Sequence, residues 1–141
     1  MKTLKSLTIA IALLATTSFV KANDVPENSL TKTHAINTYV DAMTRGKFSG
    51  LNQVVDQSAK FNILRGKSIL SYSKKEMTDY LKSEKNIVQE CTTSAEIVES
   101  NTDMAVVKVD MKYENFTRSN YVTVTNTGSG WKITNVYSVF K

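Results

Sequence analysis

Several aromatic side chains and one amide fall at positions that helix or strand periodicity turns toward a common interior. A tyrosine hydroxyl there can orient a ligand within an apolar wall or donate a hydrogen bond to a developing oxyanion. An asparagine on an apolar strand face either contacts a ligand or bonds a neighbouring backbone at a β-bulge. The candidate ligand-binding residues are Tyr39, Phe61, Tyr80, Tyr113, Asn135 and Tyr137. The same rings could instead fill the interior completely, and the sequence leaves both alternatives open.

A general base that would turn such a pocket into an active site is harder to find. Chemistry of this kind uses a carboxylate or a histidine as the base. His34, the one histidine of the chain, lies about half a helical turn from the face of Tyr39, at roughly 100° per residue, which predicts a solvent-exposed ring. Asp79 and Glu90 are the acids we keep as pocket candidates, although surface positions are typical of both. No catalytic residue is therefore assigned.

Signatures of cofactors and metals are missing from the sequence. One histidine and one cysteine, Cys91, cannot supply a typical zinc site, which needs three or four ligands. There is no glycine-rich phosphate loop, no dinucleotide fingerprint and no G-x-S-x-G motif. A single thiol cannot form an intrachain disulfide, and Cys91 is predicted to be a small buried side chain on a strand. We therefore expect neither a cofactor nor a metal ion.

The first 22 residues have the pattern of an export signal. Lys2 and Lys5 precede an uncharged apolar run over residues 7–15, which is shorter than the roughly 20 residues that a membrane-spanning helix needs. Small residues before Asn23 are suitable for signal peptidase. The sequence predicts a signal peptide over residues 1–22, a flexible lead-in over 23–28 and a single domain over 29–141. The product is expected in the periplasm or secreted, with no membrane association after cleavage.

The basic balance of the chain belongs largely to this signal. The formal charge falls from +5 to +2 when residues 1–22 are removed, because Lys2, Lys5 and Lys21 leave without an acid. Nucleic-acid binding requires lysines and arginines clustered on one face. The remaining segment offers only scattered pairs such as Lys74 and Lys75, so we expect no nucleic-acid partner.

Helical periodicity dominates the first half of the domain. Apolar residues at spacings of three and four predict a helix from Ser29 to a glycine stop at Gly46. The same spacing from Phe48 to Val55 predicts a second helix folded back on the first. A hairpin turning at residues 65–67 follows. The capping box Ser73-Lys74-Lys75-Glu76 then predicts the start of a third helix.

Strand periodicity dominates the second half. Four antiparallel strands are predicted, over residues 88–100, 105–113, 119–125 and 131–140. On the last of them, strict alternation places Asn135 and Tyr137 on the apolar face of Trp131, which is expected to be substantially buried. Val122 and Val124 alternate with Tyr121 and Thr123 and are expected to leave apolar surface outside the sheet, which predicts a homodimer through that face. Helices grouped before an antiparallel sheet predict an α+β layer fold.

These elements resemble the nuclear-transport-factor-2-like (NTF2-like, SnoaL-like) superfamily, and within it the small bacterial "putative lumazine-binding" proteins. The matching segments are Tyr39-Val40-Asp41-Ala42-Met43-Thr44-Arg45-Gly46-Lys47-Phe48, the helix over residues 73–81 after a hairpin, and the closing Gly130-Trp131-Lys132-Ile133. The resemblance covers roughly residues 29 to 140. It implies a strongly bent antiparallel sheet wrapped as a cone around about three N-terminal helices. It also implies an apolar pocket beside the first helix, often in a dimer.

The fold does not fix the activity, because similar domains serve as isomerases, cyclases, dehydratases or non-catalytic modules. We favour non-catalytic binding of a small apolar ligand or of a partner protein. The alternatives are a pocket enzyme of the isomerase or cyclase type and a purely structural dimer module. A carboxylate lining the pocket would favour the enzyme, and a filled interior would favour the structural module.

Overall fold

The computed structural model describes residues 31–141, so the predicted signal peptide and lead-in lie outside the described residues. The helices are α1 (Lys32–Arg45), α2 (Leu51–Val54) and α3 (Lys74–Ser83). The strands are β1 (Val55–Arg65), β2 (Ser68–Ser73), β3 (Thr92–Ser100), β4 (Met104–Lys112), β5 (Thr117–Asn126) and β6 (Trp131–Phe140). Within this range no helix combines the length and the apolar content needed to cross a bilayer.

The six strands form one curled sheet in the order β2-β1-β6-β5-β4-β3. All neighbours are antiparallel except β1 and β6, which run parallel and bring the first strand beside the last. The pairing register shifts between Val55 and Lys60 on β1, and between Thr123 and Val124 on β5. Such irregularities bend a sheet and increase its twist. The helices pack inside this curvature, so the predicted α+β cone is confirmed.

Helix α1 begins and ends on specific caps. The Thr31 side chain accepts a hydrogen bond from the backbone N–H of His34 at 3.1 Å. Gly46 follows the helix with a φ of 63°, in the left-handed region. A Cβ at this position would lie 2.4 Å from the backbone nitrogen of Asn86. The glycine is therefore required both by the turn and by the close approach of the segment after α3.

The predicted second helix is wrong in its length. Only Leu51–Val54 is helical, and Val55 already starts β1 and pairs with Ile133. A β-branched valine loses side-chain freedom in a helix and packs well in a sheet. The hairpin after it is confirmed, and so is the capping box at Ser73, which starts α3.

The core lies between α1 and the concave face of the sheet. Val122 and Val124 are fully buried there, beside the buried residues Val107, Val109, Ile133 and Val136. Neither valine lies on the outer face, so the predicted contribution of Val122 and Val124 to a dimer interface is wrong. Trp131 is half-buried at the edge of the core rather than substantially buried. The Lys32 ammonium lies 4.8 Å from the centre of its ring.

The strand predicted from residue 88 begins later, at Thr92. Val88 lies in the exposed segment between α3 and β3. This segment is held against α1 by a hydrogen bond from the Gln89 backbone N–H to the Thr44 carbonyl at 2.7 Å. Cys91 precedes the strand and is half-buried, so its predicted position on a strand is wrong.

Candidate functional site

A cavity of about 480 Å³ opens between α1, α3 and the concave face of the sheet. This volume is within the range of small-molecule sites, roughly 300 to 1,000 Å³. Most of the wall is apolar or aromatic, and charged side chains lie at the floor and at the rim. The lining residues are Met43, Ile63, Arg65, Tyr72, Glu76, Met77, Asp79, Tyr80, Arg118 and Phe140.

Arg118 on β5 lies at the floor of this cavity and is held by two buried neighbours. Its Nε donates to Asn120 Oδ1 at 2.9 Å, and its Nη2 donates to Ser138 Oγ at 3.2 Å. Ser138 Oγ in turn donates to Asn120 Oδ1 at 2.6 Å, while Asn120 Nδ2 donates to the Val109 carbonyl at 3.2 Å. Asn120 and Ser138 are buried, and each forms hydrogen bonds within this network. The network therefore fixes the orientation of the guanidinium.

The charge of Arg118 has no acidic partner in the described part of the chain. The ion pairs there join Arg45 to Asp41, Lys75 to Asp79 and Lys108 to Asp110. The guanidinium of Arg118 instead lies 5.7 Å from the centre of the Phe140 ring. Arginine stays charged in proteins and carries five N–H donors, which leaves donors on this guanidinium for an anion. A half-buried cation among apolar walls is therefore suited to a carboxylate.

The two acids that line the cavity lie at its rim, and both already accept hydrogen bonds from residues of the chain. Glu76 accepts hydrogen bonds from the backbone N–H and the hydroxyl of Ser73, at 2.7 and 2.8 Å, and these bonds lower its pKa. Asp79 pairs with Lys75 on the same helix, which lowers the pKa of Asp79. Asp79 thus lines the predicted pocket, while Glu90 is exposed and lies outside it. A general base needs a pKa near the working pH, so neither rim acid is poised for that role.

No group of three or more histidine, cysteine or acidic side chains in residues 31–141 could share a metal ion. His34 is half-buried on α1, with Nε2 at 3.4 Å from Thr38 Oγ1. It does not line the cavity around Arg118. The polar chemistry of the cavity therefore centres on Arg118.

Tyr39 lies on the buried face of α1, as the helical spacing predicts. Its side chain is 1% exposed, and its hydroxyl has no hydrogen-bond partner among residues 31–141. Burial raises the pKa of Tyr39 to about 12, and the nearby positive charge of Arg118 acts in the opposite direction. The hydroxyl is thus a protonated donor at neutral pH.

Three other aromatic residues predicted to line the pocket lie in three different places: the core, the rim of the cavity and a neighbouring cavity. Phe61 is buried in the core, opposite Tyr72 and Val136 on the flanking strands. Tyr80 is 61% exposed and lines the rim, so its predicted inward position is wrong. The first turns of α3 carry the buried apolar residues Met77 and Leu81, and Tyr80 lies beside that face rather than on it.

Tyr113 follows the end of β4 and is half-buried. Its ring stacks on Phe116 with centroids 4.5 Å apart, and its hydroxyl donates to Gln89 Oε1 at 3.2 Å. Burial raises the pKa of Tyr113. It lines a smaller cavity of about 80 Å³ on the other side of Arg118, so Arg118 belongs to both cavities.

Asn135 and Tyr137 lie on the outer face of the sheet, contrary to the prediction. Thr123 pairs with Asn135 whereas Val124 pairs with Ile133, so β6 has one extra residue at Thr134. This bulge reverses the alternation beyond it. Asn135 accepts a hydrogen bond from Asn62 Nδ2 at 3.0 Å, and both predicted residues are half-exposed.

The residues that sequence reasoning missed are Arg118, Asn120 and Ser138. Arg118 and Asn120 lie on the same strand face as Val122 and Val124. Extending the alternation of this predicted strand by one residue, to Arg118, would have placed both on the inward face. Ser138 follows the reversed alternation beyond the bulge, so no simple periodicity in the sequence would have placed it inward.

The sequence matches the model of the family described as "Putative lumazine-binding" over residues 29–138, more than half of the chain. The chain belongs to this family. The resemblance that the sequence suggested is thereby confirmed at the level of the family. No curated protein matches the chain.

Solved structures from several bacteria share the fold. An NTF2-like protein of unknown function from Silicibacter pomeroyi is 20% identical with a TM-score of 0.62, over 77% of this chain and 90% of that one. An NTF2-like protein from Cytophaga hutchinsonii is 16% identical with a TM-score of 0.60, over 76% and 93%. A "putative ketosteroid isomerase" from Parabacteroides distasonis is 10% identical with a TM-score of 0.56, over 77% and 86%. At these identities the likeness shows the fold alone.

Proposed function

We propose that this domain binds a small organic acid, without catalysis, in the cavity around Arg118. The ligand's carboxylate lies on the guanidinium, and its apolar body packs against the walls that α1 and α3 supply. The observation that carries the proposal is the half-buried Arg118, which has no acidic partner among residues 31–141.

Preorganisation of Arg118 supports this assignment. The hydrogen bonds that Arg118 donates to Asn120 and Ser138 fix the guanidinium before a ligand arrives, which reduces the conformational entropy lost on binding. A planar guanidinium can receive both oxygens of a carboxylate. The walls include Met43 and Met77, whose unbranched side chains adapt to ligands of different shape.

Binding is favoured over an isomerase activity by the state of the acids. An isomerase of the ketosteroid type needs a carboxylate or histidine poised to take a proton. The acids that line the cavity, Glu76 and Asp79, are exposed, and hydrogen bonds lower the pKa of each. The solved structure described as an isomerase shares the fold with this chain and carries no argument about its chemistry.

A thermal-shift panel of matched acids and amides tests the proposal. The panel contains benzoate, cinnamate and octanoate, the three corresponding amides, and lumazine because the family description names it. Acids should raise the melting temperature in a saturable way, and their amides should raise it less, since the amide does not form the charge-assisted pair.

Two variants assign the effect to one side chain. Arg118→Met removes the guanidinium at the floor, and Arg65→Met removes the same charge from the exposed rim of the same cavity. Only Arg118→Met should abolish the preference for acids. Equal shifts by acids and amides, or loss of the preference in Arg65→Met alone, would refute the assignment.

We also propose that the domain acts after export. The support is the basic and then apolar pattern of residues 1–22, with small residues before Asn23.

A homodimer through the outer face of the sheet is a further proposal. The two valines first invoked for it are buried, and the support now comes from Tyr121 and Tyr137. These side chains lie directly opposite each other on neighbouring strands and are half-exposed. Aromatic residues are enriched at protein interfaces.

A further inference from the structure

A second cleft continues the cavity beyond Phe140. It encloses about 560 Å³ between the β1–β2 turn, the start of β5 and the end of β6. Its lining residues are Leu64, Arg65, Gly66, Phe116 and Phe140. Arg65 and Phe140 line both the cavity and the cleft, so the two spaces meet at these side chains.

The cleft presents large apolar rings to solvent. Phe116 is 43% exposed and Phe140 is 44% exposed, with ring centroids 6.2 Å apart. Phe116 is also held from behind by its stacking on Tyr113. Adjacent exposed rings of this kind are typical of binding sites, because removing a contiguous apolar patch from water is favourable.

Arg118, Phe140 and Phe116 follow one another along the same wall. The guanidinium carbon of Arg118 lies 5.7 Å from the Phe140 ring centroid, and Phe116 is the next ring outward. A ligand whose carboxylate lies on Arg118 therefore has an apolar path around Phe140 to Phe116. A ligand that fills this path needs an apolar chain long enough to pass Phe140 and reach Phe116.

We infer that the ligand is a long-chain carboxylic acid, with its carboxylate on Arg118 and the far end of its chain in the cleft beside Phe116. This inference rests on the proposed function, because it keeps Arg118 as the anchor. The cleft adds a selection for chain length. Each further methylene that the cleft buries should raise the affinity about threefold to fourfold.

Calorimetric titration with butanoate, octanoate and dodecanoate, each below its aggregation concentration, tests the inference on the full domain. Affinity should rise from octanoate to dodecanoate. Phe116→Ser should weaken dodecanoate binding at least about tenfold and leave butanoate unchanged. The control is Ile97→Ser, which removes a similarly exposed apolar residue from β3, where Ile97 is 61% exposed. It should change neither affinity.

Amide chemical shifts give a second measurement that needs no variant. Dodecanoate should shift the amide resonances of Gly66 and Phe116, whereas butanoate should leave them in place. If affinity stops rising at octanoate and these resonances stay fixed, the role of the cleft is refuted while the Arg118 site stands. If no acid binds, the proposed function itself fails. A third outcome is that the wild type does not bind dodecanoate but sediments with phosphatidylglycerol vesicles, and that Phe116→Ser abolishes this sedimentation. That outcome would assign the cleft to a membrane surface and overturn the inference.

Discussion

Removing the Tyr39 hydroxyl should stabilise the protein. The hydroxyl is fully buried, has no hydrogen-bond partner in the part of the chain that the structure describes, and is held in the protonated state. A buried polar group without a partner costs about 1–3 kcal/mol. Tyr39→Phe keeps the ring that packs against the core and removes only the oxygen. The free energy of unfolding should therefore rise by about 1–2 kcal/mol, and the melting temperature by roughly 4 °C for each kcal/mol.

The same substitution should change how stability depends on pH. The pKa of Tyr39 is raised by burial from 10.0 to about 12. As pH rises, the unfolded chain therefore loses this proton before the folded protein does. The contribution of this group to the free energy of unfolding is fully present below about pH 10 and decreases as pH rises toward 12. The total loss from this group is about 3 kcal/mol. Tyr39→Phe should remove that loss, and its advantage over the wild type should increase above pH 10.

Urea unfolding, with the midpoint compared at constant slope, measures both effects. Tyr113→Phe is the matched control, because the Tyr113 hydroxyl donates to Gln89 at 3.2 Å. Its loss should destabilise the protein by about 0.5–1.5 kcal/mol. If Tyr39→Phe destabilises the protein by more than about 1 kcal/mol, the hydroxyl has a partner in solution and the account of Tyr39 is wrong.

Three other predictions concern the cap of α1, the predicted signal peptide and the outer face of the sheet. Gly46→Ala should destabilise the domain by more than about 1 kcal/mol, because its Cβ would lie 2.4 Å from the Asn86 nitrogen at a φ of 63°; an unchanged urea midpoint would contradict this. Protein recovered from the periplasm or medium should begin near Asn23 by intact mass, and full-length cytoplasmic protein would rule out export. Light scattering at micromolar concentration should show a dimer that Tyr121→Arg dissociates, and a monomeric wild type would eliminate the interface.

The fold could be predicted because each element carries a local signal. The capping box at Ser73 and the glycine stop at Gly46 mark the ends of helices that the structure confirms. The alternation from Ala105 to Met111 marks a strand buried on one face. The second helix was overpredicted because Val55 fits both periodicities, and its pairing with Ile133 in the sheet depends on a contact far away in sequence.

The candidate site could be predicted only in part, because long-range pairing decides which side chains meet. Tyr39 follows from helical spacing, whereas Asn135 and Tyr137 were misplaced by a single bulge at Thr134. Arg118 meets Ser138 only because β5 and β6 pair in one particular register. A charged residue inside a strand is usually on the surface. The charge of Arg118 therefore predicts a surface position, although its side chain lines the cavity.

Calorimetric titration of the wild type and of Arg118→Met with cinnamate and cinnamamide tests the central claim most directly. The two compounds have the same apolar body and differ in the charge at the group that would contact Arg118. Cinnamate should bind the wild type at least about tenfold more tightly than cinnamamide, and the two should bind Arg118→Met equally. Equal affinities for the wild type, or a preference for cinnamate that survives in Arg118→Met, would contradict an acid-binding site at Arg118.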